Sequence, residues 1–285
     1  MSMDWHAHDF TRNHVRLRYW RKGNPNGAPV LLLHGITDSG CMWGRVADGL
    51  AEQGFAVIAP DQRGHGESDV PDHGYAYDDY AQDAIALLSY LDKSPAIVMG
   101  HSFGGLISMW LGAHYPQVVS MLVLVDPPLF NFTGSDEEWH DWRQSYFQWL
   151  RDMKPKSAAQ IAAEKKVESP GWSDDEREHY AQARLAASLR LSEQGGVTFY
   201  SDWQELFVQF QCPTLLLYGD KDLGSIISDE TADQARQLLR FGQVVKIPNT
   251  GHSLLRDDAP AFIAAVLPFV TAETPVGLGQ SPQMS

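Results

Sequence analysis

Six short apolar runs limit what this chain can fold into: Val30 to Leu33, Ala56 to Ala59, Ala96 to Met99, Met121 to Val125, Thr214 to Tyr218 and Val244 to Ile247. A run that is apolar throughout has no polar face to offer water, so it predicts a strand buried on both sides. Between most of the runs lie stretches of helical spacing, such as Tyr80 to Leu91 with the capping-type residues Asp78 and Asp79 ahead of it. Strands that alternate with helices run parallel and cross over right-handed, which predicts an α/β fold with a mostly parallel, doubly wound sheet. Near the start, Val15, Leu17 and Tyr19 alternate with Arg16, Arg18 and Trp20, the period of a half-exposed strand and the material of an edge hairpin.

The alternation stops between about Leu129 and Gln211. There Trp139, Trp142, Tyr146 and Trp149 recur three, four and three residues apart, which puts them on one face of a helix. We read residues 131–205 as a helical cap inserted between two parts of one core, 1–130 and 206–270. A second cap helix is expected over Asp174 to Leu191, and Trp203, Phe207 and Phe210 lead the chain back to the sheet. Most of the cap rings are expected to pack cap onto core, with Trp142 and Tyr146 as candidates for contact with a substrate. Residues 271–285, rich in Thr, Glu, Pro, Gly, Gln and Ser, read as a loose tail.

Composition narrows the function classes. A chain of 285 residues suits one large domain with an insertion, and its formal net charge of −14 makes nucleic acid and anionic membrane poor partners. Cys41 and Cys212 are too few for a disulfide framework or a cysteine metal site and suit a reducing compartment. The first residues, among them Asp4, His6, His8, Asp9 and Arg12, contain no apolar segment, so neither a signal peptide nor a membrane span is expected, and the cytoplasm is the expected location. No metal or organic cofactor is implied, and a monomer or homodimer is expected.

Chemistry enters with Gly100, His101, Ser102, Phe103 and Gly104, a G-x-S-x-G directly after the run Ala96 to Met99. A serine between glycines at the end of a strand can sit on a strained strand-to-helix turn with its Oγ exposed, which makes Ser102 the candidate nucleophile. Serine is a weak nucleophile until a base takes its proton. His252, in a Gly-flanked loop after the last apolar run, is the candidate base. For the acid that orients it there are two candidates. Asp126 ends the run Met121 to Val125 and precedes Pro127 and Pro128, which turn the chain out of the sheet; Asp222 follows the run Thr214 to Tyr218. Thr37, Asp38 and Ser39 could contact substrate or cap the following helix, and capping is the favoured reading.

These motifs occur in a fixed order: His34 and Gly35; then Asp61, Arg63, Gly64, His65, Gly66 and Ser68; then the serine elbow; then Gly251, His252 and Ser253. In that order the chain resembles the α/β-hydrolase superfamily over nearly all of its length, and the resemblance implies an eight-stranded sheet with a helical cap. It also implies an oxyanion hole from the main-chain N–H groups of Ile36 and Phe103. Epoxide hydrolases and haloalkane dehalogenases of this superfamily carry aspartate where this chain has Ser102, which argues against both chemistries. Asp222 stands at the superfamily's commonest position for the acid, but Leu223, Gly224 and Ser225 intervene before Ile226 and Ile227, where one residue is usual. The turn Gly35, Ile36, Thr37 and the corner Val125 to Pro128 are similar to the branch containing N-formylmaleamate deformylase, which uses the earlier acid, and we favour Asp126. The resemblance implies a serine hydrolase of a carboxylic ester or small amide with an apolar or aromatic part, working through an acyl-enzyme. C–C bond cleavage beside a ketone, acyl-lactone opening and a non-catalytic small-ligand receptor are the alternatives on the same scaffold.

Overall fold

The apolar runs become the middle of one eight-stranded sheet. Its strands are β1 (His6–Arg12), β2 (Val15–Gly23), β3 (Pro29–Leu33), β4 (Ala56–Pro60), β5 (Ala96–His101), β6 (Val119–Val125), β7 (Thr214–Tyr218) and β8 (Gly242–Lys246). A computed structural model, which describes residues 4–129, 136–193 and 202–272, orders them β1-β2-β4-β3-β5-β6-β7-β8. The hairpin of β1 and β2 forms one edge and joins β4 antiparallel; every pair from β4 to β8 is parallel. The other edge departs from the both-faces-buried expectation: β8 has a neighbour on one side only, and its residues are exposed or half-buried, which suits Gln243 and Lys246.

Alternate strand residues supply two cores. Leu31, Leu33, Val98, Leu122, Leu124 and Leu216 face helices α2 (Tyr77–Tyr90), α3 (Phe103–His114) and α9 (Asp229–Leu238). Val30, Leu32, Ile97, Met99, Val123 and Leu215 face α1 (Gly44–Glu52) and α11 (Ala259–Thr271) on the other side. Asp78 and Asp79 lie inside the first turn of α2 rather than ahead of it, where Asp79 accepts the Ala76 N–H at 3.0 Å and both charges oppose the positive helix end.

Between β6 and β7 the chain forms α4 (Asp136–Met153), α5 (Ala158–Glu168), α6 (Asp174–Ala186), α7 (Arg190–Glu193) and α8 (Trp203–Phe207). The expected helix from Asp174 to Leu191 breaks after Ala186, because the Ser188 N–H bonds the Gly64 carbonyl of the core at 2.9 Å and its Oγ accepts the Arg190 N–H at 3.1 Å. Trp203 and Phe207 are buried. The expected tail lies outside the described residues from 273 onward. Among the described residues no helix is long and apolar enough to cross a membrane.

Buried polar groups hold the loops at the carboxyl end of the sheet. Asp61 accepts the N–H groups of Gly40 (2.7 Å) and Glu67 (2.9 Å) and the indole N–H of Trp20 (3.2 Å). A Cβ at Gly66, which has φ +51°, would run into that carboxylate, so only glycine closes the turn. His34 donates from Nδ1 to the Gly35 carbonyl at 2.8 Å and accepts the Gln62 N–H on Nε2 at 2.9 Å. Arg63 forks onto Asp83 of α2 with two 2.7 Å bonds, both residues buried.

Asp83→Ala strands the buried Arg63 guanidinium, and urea unfolding is expected to show a loss of about 3–5 kcal/mol; a loss under ~1 kcal/mol would mean the pair holds nothing. Burial, and for each ring a neighbouring histidine, holds His34 and His101 neutral and lowers their pKa to about 3. An unfolded histidine titrates near 6.5, so between these values the unfolded chain binds protons that the folded chain does not. Their contribution is therefore fully present above about pH 6.5 and is expected to fall by up to ~1.4 kcal/mol per pH unit per histidine on acidification. Stability that stays level from pH 7 to pH 4 would contradict this.

Candidate active site

Ser102 follows the last residue of β5 with φ 53° and ψ −118°, a conformation that a residue with a Cβ occupies only when its surroundings enforce it. They do so from three sides. Its N–H donates to the Val125 carbonyl at 2.9 Å, continuing the β5–β6 ladder, and its carbonyl accepts the Leu106 N–H at 3.2 Å, starting α3. Gly104 lets α3 press against the end of β3, since a Cβ there would run into the Leu33 carbonyl. The Phe103 N–H opens α3, where no intrahelical acceptor is available to it.

Asp126 ends the neighbouring strand, also at positive φ (43°), its N–H bonded to the Leu217 carbonyl of β7 at 2.8 Å. Its carboxylate has no solvent exposure. Oδ2 accepts His252 Nδ1 at 2.7 Å and the Ile226 N–H at 2.8 Å; Oδ1 accepts the Ser225 hydroxyl at 2.8 Å and the Ile227 N–H at 3.1 Å. Four donors on two oxygens match the acceptor-only valence of a carboxylate. With Nδ1 committed to Asp126, the Nε2 lone pair of His252 is the one left to act as a base. Asp222 is exposed, in the turn Lys221–Leu223, while the carboxylate on His252 is that of Asp126.

The sequence offers one signal for the segment that wraps Asp126: Ser225, the last of the three residues inserted between Asp222 and Ile226, bonds it together with Ile226 and Ile227. His101 donates from Nε2 to the His252 carbonyl at 2.8 Å, and the two rings lie 4.7 Å apart, so it supports the histidine loop.

Asp38 corrects the helix-capping expectation. The turn after it starts at Ser39 with no side-chain cap, and although Asp38 accepts the Ser39 N–H, its main partners are cations. Arg256 grips both oxygens, at 2.9 and 3.1 Å, and Arg184 of α6 reaches Oδ2 at 3.2 Å. The two guanidinium groups hold the Asp38 carboxyl well below the usual carboxylate range against the opposing effect of burial, which is the largest single influence on it. Arg184 also donates to the Thr37 carbonyl at 3.1 Å. Nothing in a linear sequence pairs positions so far apart.

Ser102, His252, Ile36, Phe103, Tyr146, Asp38, His101 and Arg184 all line one cavity of about 190 Å³. Tyr146 reaches it from α4, its hydroxyl 3.2 Å from Thr37 Oγ1, and its ring packs 5.6 Å from Trp149, as the expected stripe requires. Trp142 belongs to α4, but its side chain lies outside the described residues. Asp126 stands behind His252. The thiols offer no rival nucleophile, since burial pushes Cys41 up to about 12 and Cys212 up to about 11. Among the described residues no group of three or more His, Cys, Asp or Glu side chains could hold a metal ion.

The chain as a whole is similar to known proteins. An uncharacterised protein of Mycobacterium tuberculosis strain H37Rv is 43% identical over 281 residues, covering 90% of this chain and 79% of that one. A 2-(acetamidomethylene)succinate hydrolase of Mesorhizobium japonicum is 38% identical over 112 residues, 39% of either chain. Among solved structures, the N-formylmaleamic acid deformylase of Pseudomonas putida S16 superposes with a TM-score of 0.74 at 25% identity, over 92% of this chain and all of that one. The sequence profile for the alpha/beta hydrolase fold matches residues 28–259, and the chain belongs to the alpha/beta hydrolase family.

Proposed function

We propose that this protein is a serine hydrolase of carboxylic esters or small amides that works through an acyl-enzyme on Ser102, His252 and Asp126. The observation that carries the reading is the 2.7 Å bond from Asp126, a carboxylate with no solvent exposure, to His252, which lines the same cavity as the strained Ser102 elbow. In this reading His252 Nε2 takes the Ser102 proton as Oγ attacks the substrate carbonyl, and returns it to the leaving alcohol or amine. Asp126 fixes the His252 tautomer and offsets the charge of the imidazolium. Ile36 and Phe103 line the same cavity, and in this reading their main-chain N–H groups are the two donors for the developing oxyanion. Water then repeats the sequence on the acyl-enzyme, with His252 as its base.

A fluorophosphonate probe followed by intact mass, together with 4-nitrophenyl ester turnover, tests the reading. Wild type is expected to take one label, and Ser102→Ala to take none and lose turnover; a Ser102→Ala protein that keeps its turnover sinks the proposal. Asp126→Asn is expected to lower kcat by roughly 10⁴-fold, because the amide presents a donor where the tautomer needs an acceptor. Asp222→Asn is expected to match wild type. Ser225→Ala removes one hydrogen bond to a charged group, worth about 1.5–3 kcal/mol, so a drop of up to roughly 10- to 150-fold is expected. If Asp222→Asn and not Asp126→Asn abolishes turnover, the acid is misassigned.

A further inference from the structure

The charge around Asp38 does not balance. Two buried or nearly buried guanidiniums, Arg184 and Arg256, share one carboxylate. Arg45, the next cation, is spent on Glu176 through two bonds of 2.9 and 2.7 Å. Asp126, the other buried carboxylate of the site, is enclosed behind His252 by four donors of its own. A buried cation without its own counter-ion is costly, and an anionic ligand would supply the missing charge.

Of the two guanidiniums, Arg184 is the one on the cavity wall. It comes from α6 of the insertion and lies against Tyr180, its guanidinium carbon 3.6 Å from the ring centroid. Its Nη1 carries the contacts to Asp38 and Thr37, and its Nε has no partner among the described residues. Asp38 does not depend on it. Arg256 holds both carboxylate oxygens, so Arg184 can turn part of its fork to a ligand without stranding Asp38. Arg184 is also close to the chemistry, because Thr37, whose carbonyl it holds, follows Ile36 of the proposed oxyanion hole.

We propose that Arg184 anchors a carboxylate on the substrate, so that the preferred substrates are esters or amides of small acids that keep a second, free carboxylate. The proposal deepens the hydrolase reading and rests on it for the reacting bond. One planar guanidinium edge matches one carboxylate by two parallel bonds. A cavity of about 190 Å³ lies below the 300–1,000 Å³ range of sites for drug-sized ligands, which favours a short acyl chain between the two groups.

Mono(4-nitrophenyl) glutarate and 4-nitrophenyl 5-methylhexanoate test this, since they differ only by a carboxylate against an isopropyl group of similar shape. Wild type is expected to prefer the charged ester in kcat/KM. Arg184→Gln is expected to lower the charged-to-neutral ratio by about 10- to 150-fold, the range for a lost hydrogen bond to a charged group. Arg184→Lys is expected to restore part of it, because the charge returns without the fork. A purely structural role would lower both rates and leave the ratio alone. A wild-type ratio of one or less, or a ratio unchanged in Arg184→Gln, overturns the proposal. If neither ester is hydrolysed the hydrolase reading fails separately, and calorimetry with glutarate then decides: binding lost in Arg184→Gln supports the anion site, and no binding by wild type overturns it.

Discussion

A carboxylate removed from water must find every hydrogen bond inside the protein, and much of this molecule's upper face is arranged so that Asp126 can. Its four donors come from two places in the chain: the segment after β7, through Ser225, Ile226 and Ile227, and the loop after β8, through His252. The parallel register does the rest. β5, β6 and β7 are adjacent, so the Ser102 N–H bonds the Val125 carbonyl and the Asp126 N–H bonds the Leu217 carbonyl, one residue beyond the end of each ladder. The serine elbow, the acid corner and the loop that satisfies the acid are thus held by consecutive strands of one sheet. Sites of open parallel sheets form at this carboxyl edge because loops from neighbouring strands converge only there.

Legibility in the sequence followed the range of the forces involved. The strands were readable because apolar burial on both faces is local and periodic, and Leu31 and Val98 show it as clearly in sequence as in space. The elbow was readable because Gly100, Ser102 and Gly104 answer a steric demand within five residues. The choice of acid was only partly readable: Asp126 follows β6 directly and Asp222 lies in the turn after the adjacent parallel β7, so either position can in principle reach a histidine arriving from the next loop. What separates them is the segment 225–227, whose Ser225 hydroxyl and whose Ile226 and Ile227 N–H groups bond Asp126, and main-chain direction leaves no mark in residue identity. β8 failed its both-faces expectation for a related reason: a short run of Val, Val and Ile does not reveal how many neighbours a strand has.

The cluster around Asp38 was invisible for the same reason, and it ties the helices between β6 and β7 to the strand-end loops. Arg184 belongs to α6, Arg256 to α10 (Leu254–Asp257) and Asp38 to the loop after β3. A second tie, Trp172 Nε1 to Asp257 at 2.8 Å, lands one residue from Arg256, and Arg45 bonds both Glu176 and the Arg256 carbonyl. The histidine loop, the turn bearing Ile36 and the insertion are therefore cross-linked through neighbouring residues. Displacing α6 would disturb the surroundings of the proposed oxyanion donor as well as the shape of the cavity.

Charge on the scale of the whole chain and charge in the cavity then act over different distances. A formal net charge of −14 repels anions, but at physiological ionic strength that repulsion is screened within about 8 Å of the surface. Inside the cavity, with water reduced, the same guanidinium acts through a far lower effective dielectric constant and its attraction grows several-fold. An acidic chain can therefore select an acidic substrate, provided that the selection is made by a buried cation and not by the surface. Arg184 meets that condition: it lines the cavity, stacks on Tyr180 and is spared from full neutralisation because Arg256 has already claimed both oxygens of Asp38. The anion would be read at the site of reaction and not on approach, so specificity here should show a weak dependence on salt compared with a surface-steered enzyme.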